Sequence, residues 1–170
     1  FYDEGIVMGL AAYGKPNEII PNKKKSYIKV FREIIKKKGP LSYEINESWI
    51  TYHFERNSWL SKKFFKIFGK KRKESSKITS HHKNIAAALQ KRLEEIVLSQ
   101  LSYLKKKYKI NYLCIAGGVG LNCSLNGKIE KNKIFKEIFI QPASADDGCT
   151  IGACYVAHND YRTEEFKAKK

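Results

Sequence analysis

Two short apolar runs in the last third of the chain, each breaking into a loop of small residues, constrain the fold more than any other feature. The first is Tyr112-Leu113-Cys114-Ile115-Ala116, followed by Gly117-Gly118-Val119-Gly120-Leu121-Asn122-Cys123. The second is Glu137-Ile138-Phe139-Ile140-Gln141, followed by Pro142-Ala143-Ser144-Ala145-Asp146-Asp147-Gly148 and a small-residue helix from Cys149 to Ala157. Adjacent glycines after a buried strand let the backbone turn sharply and approach a phosphate without Cβ clashes. The next helix offers its unpaired N–H groups to the same phosphate. Two such loops after successive strands are what ligand binding at the carboxyl edge of an α/β sheet requires. The segment reads as one wall of a nucleotide site.

The spacing of Gly117, Gly118 and Gly120 is neither the dinucleotide fingerprint nor the P-loop, because no Lys-Ser/Thr pair follows. A plain tight turn accommodates these glycines equally well. Asp146 and Asp147, between a strand end and a helix start, either hold a cation or cap the helix.

Five blocks lie in order along the chain: Glu4-Gly5 with Val7-Met8-Gly9-Leu10-Ala11-Ala12-Tyr13-Gly14; Ile85-Ala86-Ala87-Ala88-Leu89-Gln90; Ala116-Gly117-Gly118-Val119 with Leu121-Asn122-Cys123 and Asn126-Gly127; Gln141-Pro142-Ala143 with Asp146 and Gly148; and Ile151-Gly152-Ala153. This set resembles the NodU/CmcH-type O-carbamoyltransferases. The resemblance implies an α/β fold of the actin/sugar-kinase/heat-shock-ATPase (ribonuclease H-like) kind, here an incomplete lobe, in the branch shared with the tRNA threonylcarbamoyl-transferring proteins. It implies carbamoyl phosphate and ATP as the source of a carbamoyl-adenylate, whose carbamoyl group passes to a hydroxyl on a small-molecule acceptor such as a sugar, an antibiotic or a nodulation factor.

The family resembled carries a transfer domain and a YrdC-like domain that makes the adenylate. Residues 1–158 are expected to be the rear part of the transfer domain, with a variable basic insertion over 20–80 and a charged tail over 159–170. The upstream lobe and the YrdC-like domain then act as partners from the same protein, and this chain alone is expected to be inactive. Two other classes stay open: a non-catalytic remnant, and a relative that holds RNA on its basic surface.

By the same resemblance Gly117, Gly118 and Val119 lie against the nucleotide phosphates, where the amides donate hydrogen bonds. Asn122 either contacts the ligand or caps the helix that follows. Asp146 matches an aspartate that helps bind a divalent metal, Fe or Mg; Asp147 is the second choice. Met8 and Gly9 either border the nucleotide or form a packed corner. Ile6 stands where family members usually have lysine. The family's upstream H-x-x-x-H pair does not occur in these residues. Of the four histidines, His53, His81, His82 and His158, the neighbours His81 and His82 are expected to be exposed polar residues.

Composition narrows the remaining classes. The 170 residues suffice for a real core, and 42% hydrophobic content is ordinary for a soluble protein. No apolar run approaches the roughly 18 residues of a membrane span, and no secretory signal is visible, so a cytoplasmic protein is expected. Cys114, Cys123, Cys149 and Cys154 form no C-x-x-C pair. Three of them are expected on buried faces as reduced packing residues. The net charge of +16 comes from lysine runs such as Lys23-Lys24-Lys25, Lys36-Lys37-Lys38 and Lys105-Lys106-Lys107. These read as a solvated surface in preference to a nucleic-acid track.

The remaining elements follow from periodicity. Ser26 to Lys38 predicts an amphipathic helix stopped by Gly39-Pro40. Tyr43 to Phe54 predicts one or two strands, and 57–80 an irregular surface insertion. Ile85, Leu89, Leu93, Ile96, Val97, Leu101, Leu104 and Tyr108 mark one long helix capped by Thr79 or Ser80. Beyond it the prediction is a buried strand from Ile110, a helix from Leu121, a strand from Lys136 and a helix over Gly148 to His158.

Overall fold

The computed structural model describes residues 3–161 and is mixed α/β, dividing into one unit through Tyr108 and a second from Lys109. The first unit runs α1 (Glu4–Ala11), α2 (Tyr27–Ile34), β1 (Ile35–Lys37), β2 (Tyr43–Ile45), a 3-10 turn (Glu47–Trp49), α3 (Lys62–Phe68) and α4 (Ser80–Tyr108).

Apolar spacing makes α2 the centre of the first core. Tyr27, Ile28, Val30, Phe31 and Ile34 are all buried, and each such side chain contributes roughly 1.5–3 kcal/mol when fully buried. Tyr27, Val30, Phe31 and Ile34 cluster with Ile20, Trp49, Phe68 and Ala88. On the outer side Arg32 grips Glu95 of α4 through Nε (3.1 Å) and a second nitrogen (2.5 Å), while Arg92 reaches the same carboxylate at 3.0 Å. The two guanidinium groups hold the Glu95 carboxyl below the usual carboxylate range, the Arg32 hydrogen bond contributing most. An apolar cavity of about 490 Å³ beside this core is lined by Phe31, Trp49, Ile85 and other apolar side chains, with Tyr52 and His82.

Several expectations for this unit change. The helix predicted over Ser26 to Lys38 ends at Ile34, where Ile35 takes extended φ/ψ (−115°, 101°). Residues 35–37 pair antiparallel with 43–45, so Gly39-Pro40 sits between strands and does not end the helix. Of Tyr43 to Phe54 only β2 is strand; the rest is the 3-10 turn and a bridge from Ile50 to Leu60. The predicted surface insertion contains α3, whose Phe68 is in the core. Along α4 the expected stripe holds at Ile96 and Leu101, yet Leu89 and Tyr108 are exposed while Arg92 and Glu94 are buried. The buried polar groups are paired: Gln90 donates to Glu94 at 3.0 Å, and Arg92 Nε donates to the Ile35 carbonyl at 2.8 Å.

His81 and His82 are half-buried and hydrogen-bonded, contrary to the exposed role expected. His81 Nε2 donates to the Phe68 carbonyl at 2.7 Å, and its Nδ1 accepts from the Tyr27 hydroxyl at 2.5 Å. The carbonyl can only accept, which assigns the proton to Nε2. His82 Nδ1 accepts from the Thr79 amide at 3.0 Å and closes the start of α4.

The second unit is a strand-helix-strand-helix run: β3 (Tyr112–Ile115), a 3-10 turn (Gly118–Leu121), α5 (Cys123–Lys131), β4 (Glu137–Ile140) and α6 (Gly148–Tyr161). Strands β3 and β4 are parallel, with Tyr112 opposite Glu137 and Ile115 opposite Ile140. Leu125, Ile129 and Phe135 are its buried apolar residues. Strand β3 was expected to be buried, but its Tyr112 is 61% exposed, and Phe139 of β4 is 57% exposed, since among the described residues the sheet has only these two strands. All four cysteines are exposed, so the packing role expected for three of them is not found. Of the predicted tail, residues 159–161 continue α6 and 162–170 lie outside the described residues.

Candidate functional site

Because β3 and β4 are parallel and in register, the loops that follow them leave the same edge of the sheet. The chain needs a connection at this edge that returns over the sheet, and α5 provides it. Gly117 follows β3 with φ +102°, a conformation that L side chains rarely adopt, and its amide donates to the Ser144 carbonyl at 2.7 Å. That bond ties the first loop to the second. A Cβ on Gly120 would stand 2.8 Å from Ser144 Oγ and 3.0 Å from Ser144 Cβ, so the two loops touch there and only glycine fits without a shift.

Gly118 and Val119 open the 3-10 turn, where the first amides have no carbonyl partner inside the turn. Gly117, Gly118 and Val119 are exposed, and a Cβ at Gly117 or Gly118 would meet nothing within 4 Å. The surface over these residues is open to a ligand. Asn122 caps α5, its Oδ1 accepting from the Leu125 amide at 2.9 Å. In the second loop Asp146 and Asp147 are exposed immediately before α6, and the Asp146 carbonyl accepts from the Cys149 amide at 3.0 Å.

Gly117, Gly118, Val119, Asn122, Asp146 and Asp147 thus share the two loops at one sheet edge. Met8 and Gly9 belong to the other unit, on α1, where Met8 is half-buried and Gly9 exposed. Among the described residues no three His, Cys, Asp or Glu side chains converge as a metal site. A cation at Asp146 would therefore draw on few protein ligands and on oxygens of its substrate, as Mg²⁺ commonly does with phosphates.

Three residues that hold these loops carried no role in the sequence reading. Ser144 is 4% exposed and its hydroxyl donates to the Gln141 carbonyl. Gln141 in turn accepts from the Ala143 amide at 3.3 Å. Asn126 Nδ2 donates to the Gly120 carbonyl at 2.7 Å, while its Oδ1 is buried without a partner. The signal for Asn126 was present in the Asn126-Gly127 block, and Ser144 carried none.

The family model described as carbamoyltransferase N-terminus matches residues 2–155. This chain belongs to the carbamoyltransferase N-terminal family. Nodulation protein NolO of Bradyrhizobium diazoefficiens is 33% identical over 159 residues, covering 94% of this chain and 26% of its own length. Nodulation protein NolNO of Sinorhizobium fredii is 34% identical over 94% of this chain and 21% of its own length. An uncharacterized protein of Methanocaldococcus jannaschii is 37% identical over 89% of this chain. The chain thus spans about a quarter of the length of the curated relatives it matches.

Proposed function

We propose that the full-length protein transfers a carbamoyl group from carbamoyl phosphate, by way of an ATP-derived carbamoyl-adenylate, to a hydroxyl of a small-molecule acceptor. The observation that carries this reading is the pair of loops stitched together at the carboxyl edge of β3 and β4 in a member of the carbamoyltransferase family. Gly117, Gly118 and Val119 bind the nucleotide phosphates through backbone amides, which reach a ligand closely because no side chain intervenes. Asn122 fixes the turn that presents them. Asp146, with Asp147 beside it, holds a divalent cation, Fe or Mg, that neutralises phosphate charge when bound.

In this reading the second unit is part of an actin/sugar-kinase/heat-shock-ATPase lobe. An upstream lobe and a YrdC-like domain complete the enzyme, and the reaction takes place in the cytoplasm. Among the described residues no helix is long and apolar enough to cross a membrane.

The test uses the full-length protein carrying this sequence, supplied with ATP, carbamoyl phosphate and a panel of hydroxyl acceptors, and reads the mass gain of one carbamoyl group. A parallel calorimetric titration compares ATP binding, with and without Mg²⁺ or Fe²⁺, by the native protein and by Gly118→Val. The added side chain meets no protein atom within 4 Å at its Cβ, so the variant probes ligand approach. Transfer by the native protein and loss of ATP binding in Gly118→Val are expected. Undiminished ATP binding by the variant would move the nucleotide away from this loop.

A further inference from the structure

A second concave site lies wholly within the first unit, on the basic segment that the family motifs do not touch. It is a cavity of about 340 Å³ whose wall includes Lys23, Lys24 and Lys25 from the loop before α2, Lys63 and Lys66 from α3, and Trp49. That volume falls within the range of small-molecule sites. Glu33 is the one carboxylate in the lining, and it is already engaged with Lys25 at 2.5 Å. The remaining lysines leave a strong local excess of positive charge.

The backbone of the three-lysine loop and the Lys63 ammonium are held in place. The three-lysine loop is closed by the bridge between Ile19 and Ser26 and by the Ile20 amide donating to the Lys25 carbonyl at 3.0 Å. Lys63 Nζ donates to Ser48 Oγ at 2.9 Å and stands 4.6 Å from the Trp49 ring centre, a cation–π position that fixes the ammonium without neutralising it. Trp49 is 2% exposed, and its Nε1 is buried with no hydrogen-bond partner. A buried donor of this kind costs about 1–3 kcal/mol when unsatisfied, so native structures seldom leave one unpaired.

From these observations we propose that the cavity binds a small molecule bearing a phosphate ester, with Lys63 as the fixed contact and the three-lysine loop supplying further positive charge at its rim. A nucleic-acid track needs an extended basic stripe with aromatic faces free for base stacking. Here five lysines border one hollow, and Lys63 already lies over the Trp49 ring.

The chain has two tryptophans, Trp49 and Trp59, so Trp59→Phe makes fluorescence report on Trp49 alone. The 170-residue chain with this change is titrated with inorganic pyrophosphate as the probe, ionic strength being held constant with NaCl. A saturable change is expected, weakened at least tenfold by Lys24→Gln with Lys63→Gln. Removing two charges at Lys105 and Lys106 instead should leave it within twofold. Equal weakening by both pairs, no saturable change, or tighter competition by single-stranded RNA than by pyrophosphate at equal phosphate concentration would each overturn the proposal. The lysine variants leave the Gly118 loop intact, so ATP binding lost in Gly118→Val but kept in the lysine pair separates the two sites.

Discussion

Gly9 and Gly14 lie five positions apart, yet replacing each by alanine should move stability in opposite directions. Gly9 is exposed in the middle of α1, and a Cβ there meets nothing within 4 Å. Alanine then removes the entropic cost of glycine in a helix and stabilises by about 0.5–1 kcal/mol. At Gly14 the Cβ would lie 2.0 Å from the Lys83 carbonyl oxygen, 2.4 Å from the carbonyl carbon and 2.8 Å from Ala87 Cβ. The two backbones must separate by roughly 1 Å, and overpacking of this kind costs about 1–3 kcal/mol or more. The separation also strains the Lys15 amide bond to Asn84 Oδ1, now 2.7 Å, which contributes about 1 kcal/mol. Lower chain entropy in the unfolded state offsets about 0.4–1 kcal/mol, leaving a net loss of about 2–3 kcal/mol. At about 4 °C per kcal/mol for a unit of this size, Gly9→Ala should raise Tm by about 2–4 °C and Gly14→Ala should lower it by about 8–12 °C. Calorimetric melting of both variants decides the matter. A neutral or stabilising Gly14→Ala would refute the steric argument, and a destabilising Gly9→Ala would show that α1 packs differently. ATP titration of Gly9→Ala adds a functional arm, in which unchanged affinity removes Gly9 from the nucleotide site.

The other predictions concern hydrogen bonds, protons and the candidate metal. Burial, followed by the charges of His81 and Arg72, pushes His82 below its ordinary value of 6.5. The unfolded chain therefore takes up this proton first, so His82 contributes stability above about pH 6.5 that is lost as pH falls; in His82→Gln, Tm should fall less between pH 7 and pH 5. Tyr27→Phe strips the Nδ1 of His81 of its donor and should cost about 1–2 kcal/mol, read as a lower urea midpoint at unchanged slope. Asp146→Asn should weaken the metal dependence of nucleotide binding while leaving Tm within about 2 °C, because its carboxylate is exposed. Metal dependence that survives the change takes Asp146 out of the site.

The second unit was legible because its pattern is local. Apolar runs of strand length, glycine loops and helix-forming stretches set β3, β4, α5 and α6 within three residues of their positions. The first unit was less so. Ile34 and Ile35 continue the helical spacing of α2, and only pairing with Tyr43–Ile45, a tertiary contact, turns the chain into a strand. The same limit hid His81, whose partners lie 54 and 13 residues away. It also hid α3, because a lysine-rich stretch with three phenylalanines looks like surface until the core that takes Phe68 is known. Exposure of the cysteines was unreadable for a different reason, since an apolar pattern shows what a strand or helix offers for burial and not whether a neighbour covers it. At the candidate site the glycines and the Asn126-Gly127 block were visible, whereas the bonds that Ser144 and Asn126 make go to backbone carbonyls that sequence does not display.

The hydrogen bond from Gly117 to Ser144, with the close seat of Gly120 against the same residue, makes two separate connections into one mechanical piece. Opening either one breaks that hydrogen bond, so part of the conformational freedom that loops usually surrender on meeting a ligand has already been given up when the chain folds. A ligand held by the glycines would consequently slow amide exchange around Asp146 even where it makes no contact there. Loosening Ser144 would show up as slower capture as well as faster release.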